Sequence, residues 1–247
     1  MNSIDFNCLP FGKITFGGDR LRSGYDRVIR SNCARHDLEL LLFFDSRGIS
    51  ATYSGSIAER LLTLVESSRS YLLICRPLEL TTWATLFNFL TLNELSPKTI
   101  VTNVGFVDFT PKKQSILDDA ARQVEVFMGK DTAHSRAVEH YASDDGEQIL
   151  LFSMRYDDAY RRNIETVLTK GTTVVVNSPP LVPGISLRRK RPRAFYTGLA
   201  ESIKFNRSLN GVAVIDFPAF DETKTYDGVH YTQLGNEIVF REIAKYL

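Results

Sequence analysis

The chain is 247 residues long, with 43% hydrophobic and 24% charged residues and a formal net charge of +1. These proportions are typical of a soluble globular protein large enough to bury a full core, and the balanced charge excludes a strong overall attraction to polyanions. The three cysteines, Cys8, Cys33 and Cys75, have neither metal-ligand nor C-x-x-C spacing, which indicates reduced thiols. Because the N-terminus lacks a signal-peptide pattern and no uncharged apolar run approaches about 18 residues, we expect a cytoplasmic protein without a membrane span.

Short apolar runs alternate with amphipathic segments along the chain. The runs are 13–18, 38–44, 70–75, 99–107, 172–177 and 211–217, and the amphipathic segments are 56–68, 81–95, 112–128, 157–170 and 232–247. Continuous apolar runs are typical of strands buried on both faces. The alternation therefore predicts one α/β domain, 1–247, with a doubly wound parallel sheet of five or six strands. The polar segment 129–146 is interpreted as a surface loop or a lid.

Ligands of such sheets bind beyond the carboxyl ends of the strands, so the loops that follow the strands are the places to look for chemistry. After the first predicted strand come Gly18, Asp19 and Arg20, which suit a tight turn into a helix with Asp19 near its N-cap. After the last predicted strand come Asp227 and His230, three residues apart. This spacing lets the carboxylate reach the imidazole Nδ1 and leaves Nε2 free to act as a base.

Both loops resemble motifs of the SGNH (GDSL) hydrolases. Gly18-Asp19-Arg20 is similar to the family's first block, Gly-Asp-Ser, and Asp227-Gly228-Val229-His230 is similar to its last block, Asp-x-x-His. Segments 177–184 and 195–206 resemble parts of the family that lie between these blocks. The resemblance implies a flavodoxin-like sheet, in which the strand–helix unit at about 70–96 is one more than the minimal family plan needs.

The sequence departs from the family at the residues that perform the reaction. Arg20 takes the place of the nucleophilic serine, and Ala51 takes the place of the second-block glycine, although Gly48 and Gly55 lie nearby. The third block aligns with Gly105-Phe106-Val107-Asp108, which puts Val107 at the oxyanion-binding asparagine; segment 75–78 is an alternative with a poorer match. A guanidinium cannot attack a carbonyl, and losing one oxyanion donor costs about 100- to 1000-fold in rate.

Two classes of function follow from these departures. In the first, the site is degenerate and binds a small anionic or acylated ligand without cleaving esters; the expected binding residues are Gly18, Asp19, Arg20, Ala51, Gly105, Val107 and Asp108. In this class Arg20 either grips the anion or merely pairs with Asp19 or Asp227. In the second, the protein is an active hydrolase or acyltransferase that uses Asp227 and His230 as catalytic residues, with water or Ser23 as the nucleophile.

A basic run, Arg188–Arg193, follows the fifth predicted strand. Five positive charges in six residues suit an acidic protein partner or a lipid headgroup, although such loops are often only solvated. Aromatic residues do not alternate with the charges, so nucleic acid is disfavoured as a partner. The sequence carries no zinc pattern and no glycine-rich phosphate loop, and we expect neither a metal nor a cofactor.

Overall fold

The computed structural model describes residues 20–22, 27–49, 55–75, 80–129, 133–142, 146–168, 171–187 and 191–247. The predicted first strand, 13–18, lies outside these residues. The described strands are β1 (Arg20–Arg22), β2 (Arg27–Ser31), β3 (Leu40–Phe44), β4 (Tyr71–Cys75), β5 (Thr99–Thr102), β6 (Ala133–Ala142), β7 (Gln148–Tyr156), β8 (Thr172–Val176) and β9 (Val212–Ile215). The helices are α1 (Ile57–Val65), α2 (Trp83–Leu92), α3 (Phe106–Phe109), α4 (Gln114–Met128), α5 (Asp158–Leu168), α6 (Arg193–Ser208) and α7 (Gln233–Ala244).

Seven strands form one sheet in the order β1-β2-β4-β3-β5-β8-β9. Five adjacent strands of this sheet run parallel to one another, namely β4, β3, β5, β8 and β9. Strand β2 pairs antiparallel with β4, and β1 pairs antiparallel with β2. Numbered among themselves, the parallel strands have the order 2-1-3-4-5, which is that of flavodoxin-like folds. The predicted fold class, a doubly wound α/β sheet, is confirmed.

Both faces of the sheet are covered, which explains why its strands are continuously apolar. Leu40, Leu42 and Phe44 of β3 pack with α1 and α7 on one face. Leu41 and Phe43 alternate with them and pack with α2, α4 and α5 on the other face. This alternation of side chains is inherent in a strand, and each of these five residues is at most 1% exposed.

Side-chain caps mark the beginnings of three helices. The hydroxyls of Ser56, Thr82 and Thr232 accept hydrogen bonds from the backbone N–H groups of Glu59, Thr85 and Gly235. Such caps satisfy donors that the first helical turn leaves without an intrahelical partner. The caps fix where the loops end and the helices begin, and Thr232 does so two residues after His230.

The segment interpreted as a loop or lid is corrected by the structure. Ala133–Ala142 is a strand that pairs antiparallel with Gln148–Tyr156, with an irregularity between Ala137 and Glu139. Sequence patterning missed this strand because 134–137 are all exposed and show no alternation of apolar and polar residues. The hairpin is attached to the main domain by a bridge between Lys112 and Phe152.

The unit at about 70–96 is not an addition to the fold. It comprises β4 and α2, and β4 is the second strand of the parallel 2-1-3-4-5 order. The first of those parallel strands is therefore β3, and the loop after it begins beyond Phe44. Among the described residues, none of the helices is long and apolar enough to cross a membrane.

Candidate functional site

A short turn after the central strand β3 carries a serine. Ser46–Gly48 forms a single 3-10 turn, and the Asp45 carboxylate caps it by accepting the N–H of Arg47 at 2.8 Å. Gly48 permits the chain to fold back closely, because a Cβ at this position would lie 2.6 Å from the Cβ of Phe44 and 3.2 Å from the Sγ of Cys75. The turn thus holds Ser46 at the carboxyl edge of the sheet, where ligands of such folds bind.

The turn is attached to the neighbouring strand β5 through Asn103. The N–H of Asp45 donates to Asn103 Oδ1 at 2.8 Å, and Asn103 Nδ2 donates to Asp45 Oδ1 at 2.9 Å. Both residues are buried. These reciprocal hydrogen bonds lie between the first and third strands of the parallel order, at the point where the strand order reverses.

The residue after the serine is a fully buried arginine. Arg47 Nε donates to both carboxylate oxygens of Asp45 at 3.0 and 2.9 Å, Nη1 donates to Ser178 Oγ and Nη2 to the Asn103 carbonyl. Its guanidinium carbon also lies 4.7 Å from the centre of the Phe106 ring. Burial disfavours the charged form, but the charge and hydrogen bonds of Asp45, together with Tyr231, outweigh it and raise the pKa of Arg47.

The loop between β9 and α7 carries the predicted Asp227 and His230. Asp227 Oδ1 accepts the N–H groups of Val229 at 3.0 Å and His230 at 2.8 Å, so the carboxylate organises its own loop. The loop is also held by Thr225, whose hydroxyl donates to the His230 carbonyl at 2.8 Å. Gly228 has φ +82, a backbone conformation that residues other than glycine rarely adopt.

Ser46, His230 and Asp227 form one continuous chain of hydrogen bonds. Ser46 Oγ lies 3.1 Å from His230 Nε2, and His230 Nδ1 lies 2.9 Å from Asp227 Oδ2. The hydrogen bond that the Asp227–His230 spacing predicts is therefore present. The Asp227 side chain is 1% exposed and that of His230 is 19% exposed, so the carboxylate is enclosed while the imidazole can still be reached from solvent.

The charge on Asp227 fixes the imidazole tautomer. Burial raises the pKa of Asp227, but the hydrogen bond and charge of His230, together with Arg191, outweigh burial and hold this pKa well below its ordinary value. An ionised carboxylate only accepts hydrogen bonds, so we assign the proton to Nδ1. His230 Nε2 is then the acceptor for the Ser46 hydroxyl, which is the arrangement that a general base requires.

The basic run contributes one side chain to this site. Arg191 Nη2 donates to Asp227 Oδ2, the same oxygen that binds His230. Arg193 begins α6 instead, and its backbone N–H donates to Glu139 Oε1 at 3.2 Å. Residues 188–190 lie outside the described residues, and an acidic protein or lipid partner for Arg188–Arg193 stays a prediction.

Arg20 does not occupy the position that the sequence suggested. It is the first residue of β1, opposite Ile29 of β2, where a helix N-terminus was expected. Two further strands separate β1 from β3, which corresponds to about 14 Å at the usual spacing of strands. The backbone of Arg20 is thus displaced from the turn that holds Ser46, and an anion site at Arg20 stays a prediction. Gly18, Asp19, Ser23 and Ala51 lie outside the described residues.

The three candidates after β5 have separate surroundings. Gly105, at φ +105, precedes α3, and a Cβ there would lie 2.5 Å from Asn206 Oδ1. Val107 packs with an apolar cluster around Phe106 and, as expected, supplies no side-chain donor. The Asp108 carboxylate does not meet His230; it accepts the Tyr160 hydroxyl at 2.9 Å and the backbone N–H of Trp83, the first residue of α2, at 3.3 Å. Asp108 is therefore a buried helix cap.

Sequence reasoning missed Ser46 and Arg47. Two signals in the sequence point to the serine. An Asp-Ser pair directly follows a fully apolar run, and the surplus strand–helix unit at 70–96 indicates that the first strand of the parallel order is the run 38–44 and not the run 13–18. Ser46 is the serine whose hydroxyl lies within hydrogen-bond distance of His230 in the described structure.

A cavity of about 500 Å³ lies beside the Asp227 loop. It is lined by residues 180–185 and Leu187, which follow β8, and by Arg191, Tyr196, Leu199, Ala200 and Ile203. Cavities of this size are typical of small-ligand sites. A Cβ at Gly228 would lie 2.9 Å from Leu181 Cδ1 and 3.2 Å from both Leu187 Cδ1 and Tyr196 Cε1, so the backbone of the Asp227 loop lies close to three lining residues.

Within the described ranges, His, Cys, Asp and Glu side chains do not gather into any group of three or more that could hold a metal. Cys33 and Cys75 are free thiols. Burial raises the pKa of the Cys75 thiol well above its ordinary value, which makes that thiol unreactive as a nucleophile.

No family model matches the sequence, and no curated protein matches it. Among solved structures, the fold is similar to a G-D-S-L family protein from Desulfitobacterium hafniense, at 10% identity over 85% of this chain and 99% of the other, with a TM-score of 0.47. It is also similar to an acetyl xylan esterase from Butyrivibrio proteoclasticus (11%, 85% and 63%, TM-score 0.38) and a family two carbohydrate esterase from Clostridium thermocellum (12%, 85% and 63%, TM-score 0.40). The chain spans less than two thirds of the length of these two esterases.

Proposed function

We propose that the protein is a serine hydrolase that cleaves esters. Ser46 is the nucleophile, His230 the general base and then the general acid, and Asp227 the carboxylate that orients the imidazole. The observation that carries this proposal is the chain of hydrogen bonds from Ser46 Oγ through His230 to Asp227, with links of 3.1 and 2.9 Å. A serine with a base in hydrogen-bond reach, and a third group orienting the base, is the arrangement that activates a hydroxyl nucleophile.

The reaction follows from the protonation states assigned above. As Ser46 Oγ attacks the ester carbonyl carbon, its proton passes to His230 Nε2, and the imidazolium is stabilised by the ionised Asp227. His230 then returns this proton to the leaving alcohol oxygen as the carbonyl re-forms, which leaves an acyl group on Ser46. A water molecule, deprotonated by His230, attacks the acyl carbon and releases the carboxylic acid and free serine.

Binding without ester cleavage is the expectation that follows from aligning Arg20 with the nucleophilic serine and Val107 with the oxyanion-binding asparagine. The proximity of Ser46 to His230 supplies a serine beside the base and so removes the first of these two reasons. Transfer of the acyl group to a second alcohol would use the same three residues. The 19% exposure of His230 favours hydrolysis, because solvent water has access to the base.

A covalent probe of nucleophilic serines tests the proposal directly. Incubated with a fluorophosphonate, the wild-type protein should gain one adduct, located by peptide mass spectrometry at Ser46, and should hydrolyse p-nitrophenyl acetate. Ser46→Ala should abolish both results, and His230→Ala should slow labelling and hydrolysis by at least 1000-fold.

Ser208→Ala is a matched control, because it removes an exposed serine hydroxyl at the end of α6. This variant should label and hydrolyse like the wild type. Hydrolysis that survives Ser46→Ala, or an adduct located on another residue, would contradict the proposed nucleophile.

A further inference from the structure

The cavity beside the Asp227 loop has a mostly apolar lining. Residues 180–185 and Leu187 contribute leucine, isoleucine, valine and proline side chains, and α6 contributes Tyr196, Leu199, Ala200 and Ile203. The charged residue at its border, Arg191, directs its guanidinium to Asp227 and also lies over the Phe195 ring, 5.1 Å from its centre. A cavity with this lining suits hydrocarbon and disfavours sugar hydroxyls, which would lose their hydrogen bonds to water there.

The wall of the cavity belongs to an apolar cluster that extends toward the neighbours of both reacting side chains. Leu199 and Ile203 belong to one apolar cluster with Phe106 and Val229. Val229 precedes His230 in the chain. Phe106 packs against the guanidinium of Arg47, the residue that follows Ser46. A hydrocarbon chain in the cavity would therefore contact Leu199 and Ile203, which share a cluster with Val229, the residue before His230, and with Phe106, which packs on the residue after Ser46.

We propose that this cavity holds the acyl chain of the ester substrate, and that the enzyme prefers unbranched acyl groups of medium length over acetyl. This inference rests on the proposed ester hydrolysis and specifies its substrate class. Each methylene that leaves water on entering the cavity raises kcat/KM by about fourfold. The gain stops when the cavity is full, so activity should pass through an optimum as the chain lengthens.

The test is a series of p-nitrophenyl esters from acetate through butyrate and octanoate to palmitate. For the wild type, kcat/KM should rise at least tenfold from acetate to octanoate. Ala200→Phe places an aromatic ring in the cavity and should lower the octanoate-to-acetate ratio of kcat/KM by at least tenfold. Thr197→Phe places the same ring one turn earlier on α6, at an exposed position outside the cavity lining, and should leave the ratio unchanged.

Two results would overturn the inference: a wild-type preference for acetate, or equal octanoate-to-acetate ratios in Ala200→Phe and Thr197→Phe. A measurement of ligand binding distinguishes a wrong assignment of the cavity from a wrong assignment of the ester hydrolysis. In Ser46→Ala, which cannot form an acyl enzyme, 3-decanone should bind as the ketone analogue of methyl octanoate, and adding Ala200→Phe should weaken its binding at least tenfold. If no ester is cleaved but the ketone binds in this way, the hydrolase proposal fails and the hydrocarbon site stands. If the ketone does not bind, or binds equally to both variants, the cavity assignment fails.

Discussion

The guanidinium of Arg47 lies against the carboxylate of Asp45, with Nε 3.0 Å from Oδ1 and 2.9 Å from Oδ2 and with Nη2 2.7 Å from Oδ2. The two side chains are 1% and 3% exposed. They flank Ser46 in the chain, so the ion pair fixes the backbone on both sides of the nucleophile. Further bonds from Arg47 to Asn103 and Ser178 tie the turn to the ends of β5 and β8.

Replacing Arg47 with methionine should destabilise the protein and slow the reaction. The variant leaves the Asp45 carboxylate buried without its cation, and breaking a buried ion pair in this way costs about 3–5 kcal/mol. Urea unfolding measures this loss. In protein that remains folded, kcat should fall about 100-fold, because a displacement of about 1 Å at the reacting group is enough for such a loss.

A double variant separates stability from positioning. Asp45→Asn with Arg47→Met removes both buried charges and should recover much of the lost stability. Its kcat should stay low, because methionine cannot donate to Asn103 and Ser178. A folded double variant with wild-type kcat would show that Arg47 does not position Ser46.

The parts of the molecule that the sequence predicts are those that depend on local patterns. The parallel strands are buried on both faces, and their apolar runs show it. Asp227 and His230 are three residues apart, so one loop brings them together. Arg47 could not be recognised in this way, because its partners Asn103 and Ser178 lie 56 and 131 residues further along the chain. Its burial depends on the order of strands in the sheet.

The serine was missed for a different reason. The sequence resemblance aligns Gly18-Asp19-Arg20 with the loop after the first strand. That alignment makes β3 the second strand of the sheet, although β3 is the first of the parallel strands. The antiparallel edge of the sheet, β1 and β2, has no counterpart in a wholly parallel plan. The first parallel strand is β3, and Asp45-Ser46 is the pair that directly follows it.

Arg191→Met should weaken the support of the Asp227 carboxylate. Arg191 is one of the groups that hold the pKa of Asp227 low, and a hydrogen bond to a buried charged group contributes about 1.5–3 kcal/mol. We expect the free energy of unfolding to fall by about that amount and kcat/KM for p-nitrophenyl acetate to fall about tenfold. Arg193→Met removes an exposed charge from the same basic run and should change neither quantity. Identical behaviour of the two variants would mean that the Arg191–Asp227 pair contributes nothing.

Gly228→Ala tests whether the Asp227 loop tolerates displacement. Gly228 and Gly211 have nearly the same backbone angle, φ +82 and +78, but a Cβ at Gly228 meets Leu181 Cδ1 at 2.9 Å whereas a Cβ at Gly211 meets nothing within 4 Å. For Gly211→Ala, the free energy of unfolding should therefore fall only by the cost of a left-handed conformation, about 1–2 kcal/mol. Gly228→Ala should lose more stability and also lower kcat, because the loop must shift and carry His230 with it. Equal losses of stability, with unchanged kcat in both variants, would contradict a rigidly packed loop.

Asp108 should make the stability of the fold depend on pH. Burial raises the pKa of Asp108 to about 7, against the opposing effects of the Tyr160 hydrogen bond, the Lys112 charge and the backbone N–H of Trp83. The hydroxyl of Tyr156 also faces this residue and donates to the backbone carbonyl of Asp108. Since the folded state binds the carboxyl proton of Asp108 more tightly than the unfolded state, the contribution of Asp108 is fully present below about pH 4 and is lost as the pH rises to about 7.

Asp108→Asn removes this titration while keeping an acceptor for Tyr160 and for the N-terminus of α2. The free energy of unfolding of the wild type, minus that of Asp108→Asn, should therefore decrease by a few kcal/mol between pH 4 and pH 7. Taking the difference cancels the titration of groups that do not interact with Asp108, including Asp227, whose lowered pKa acts in the opposite direction. Lys112 does interact with Asp108, but burial lowers the pKa of Lys112 only to about 8, which lies above this range. Urea unfolding at each pH measures both proteins. A difference that stays constant, or increases with pH, would show that Asp108 is ionised in the fold throughout this range and that its partners outweigh its burial.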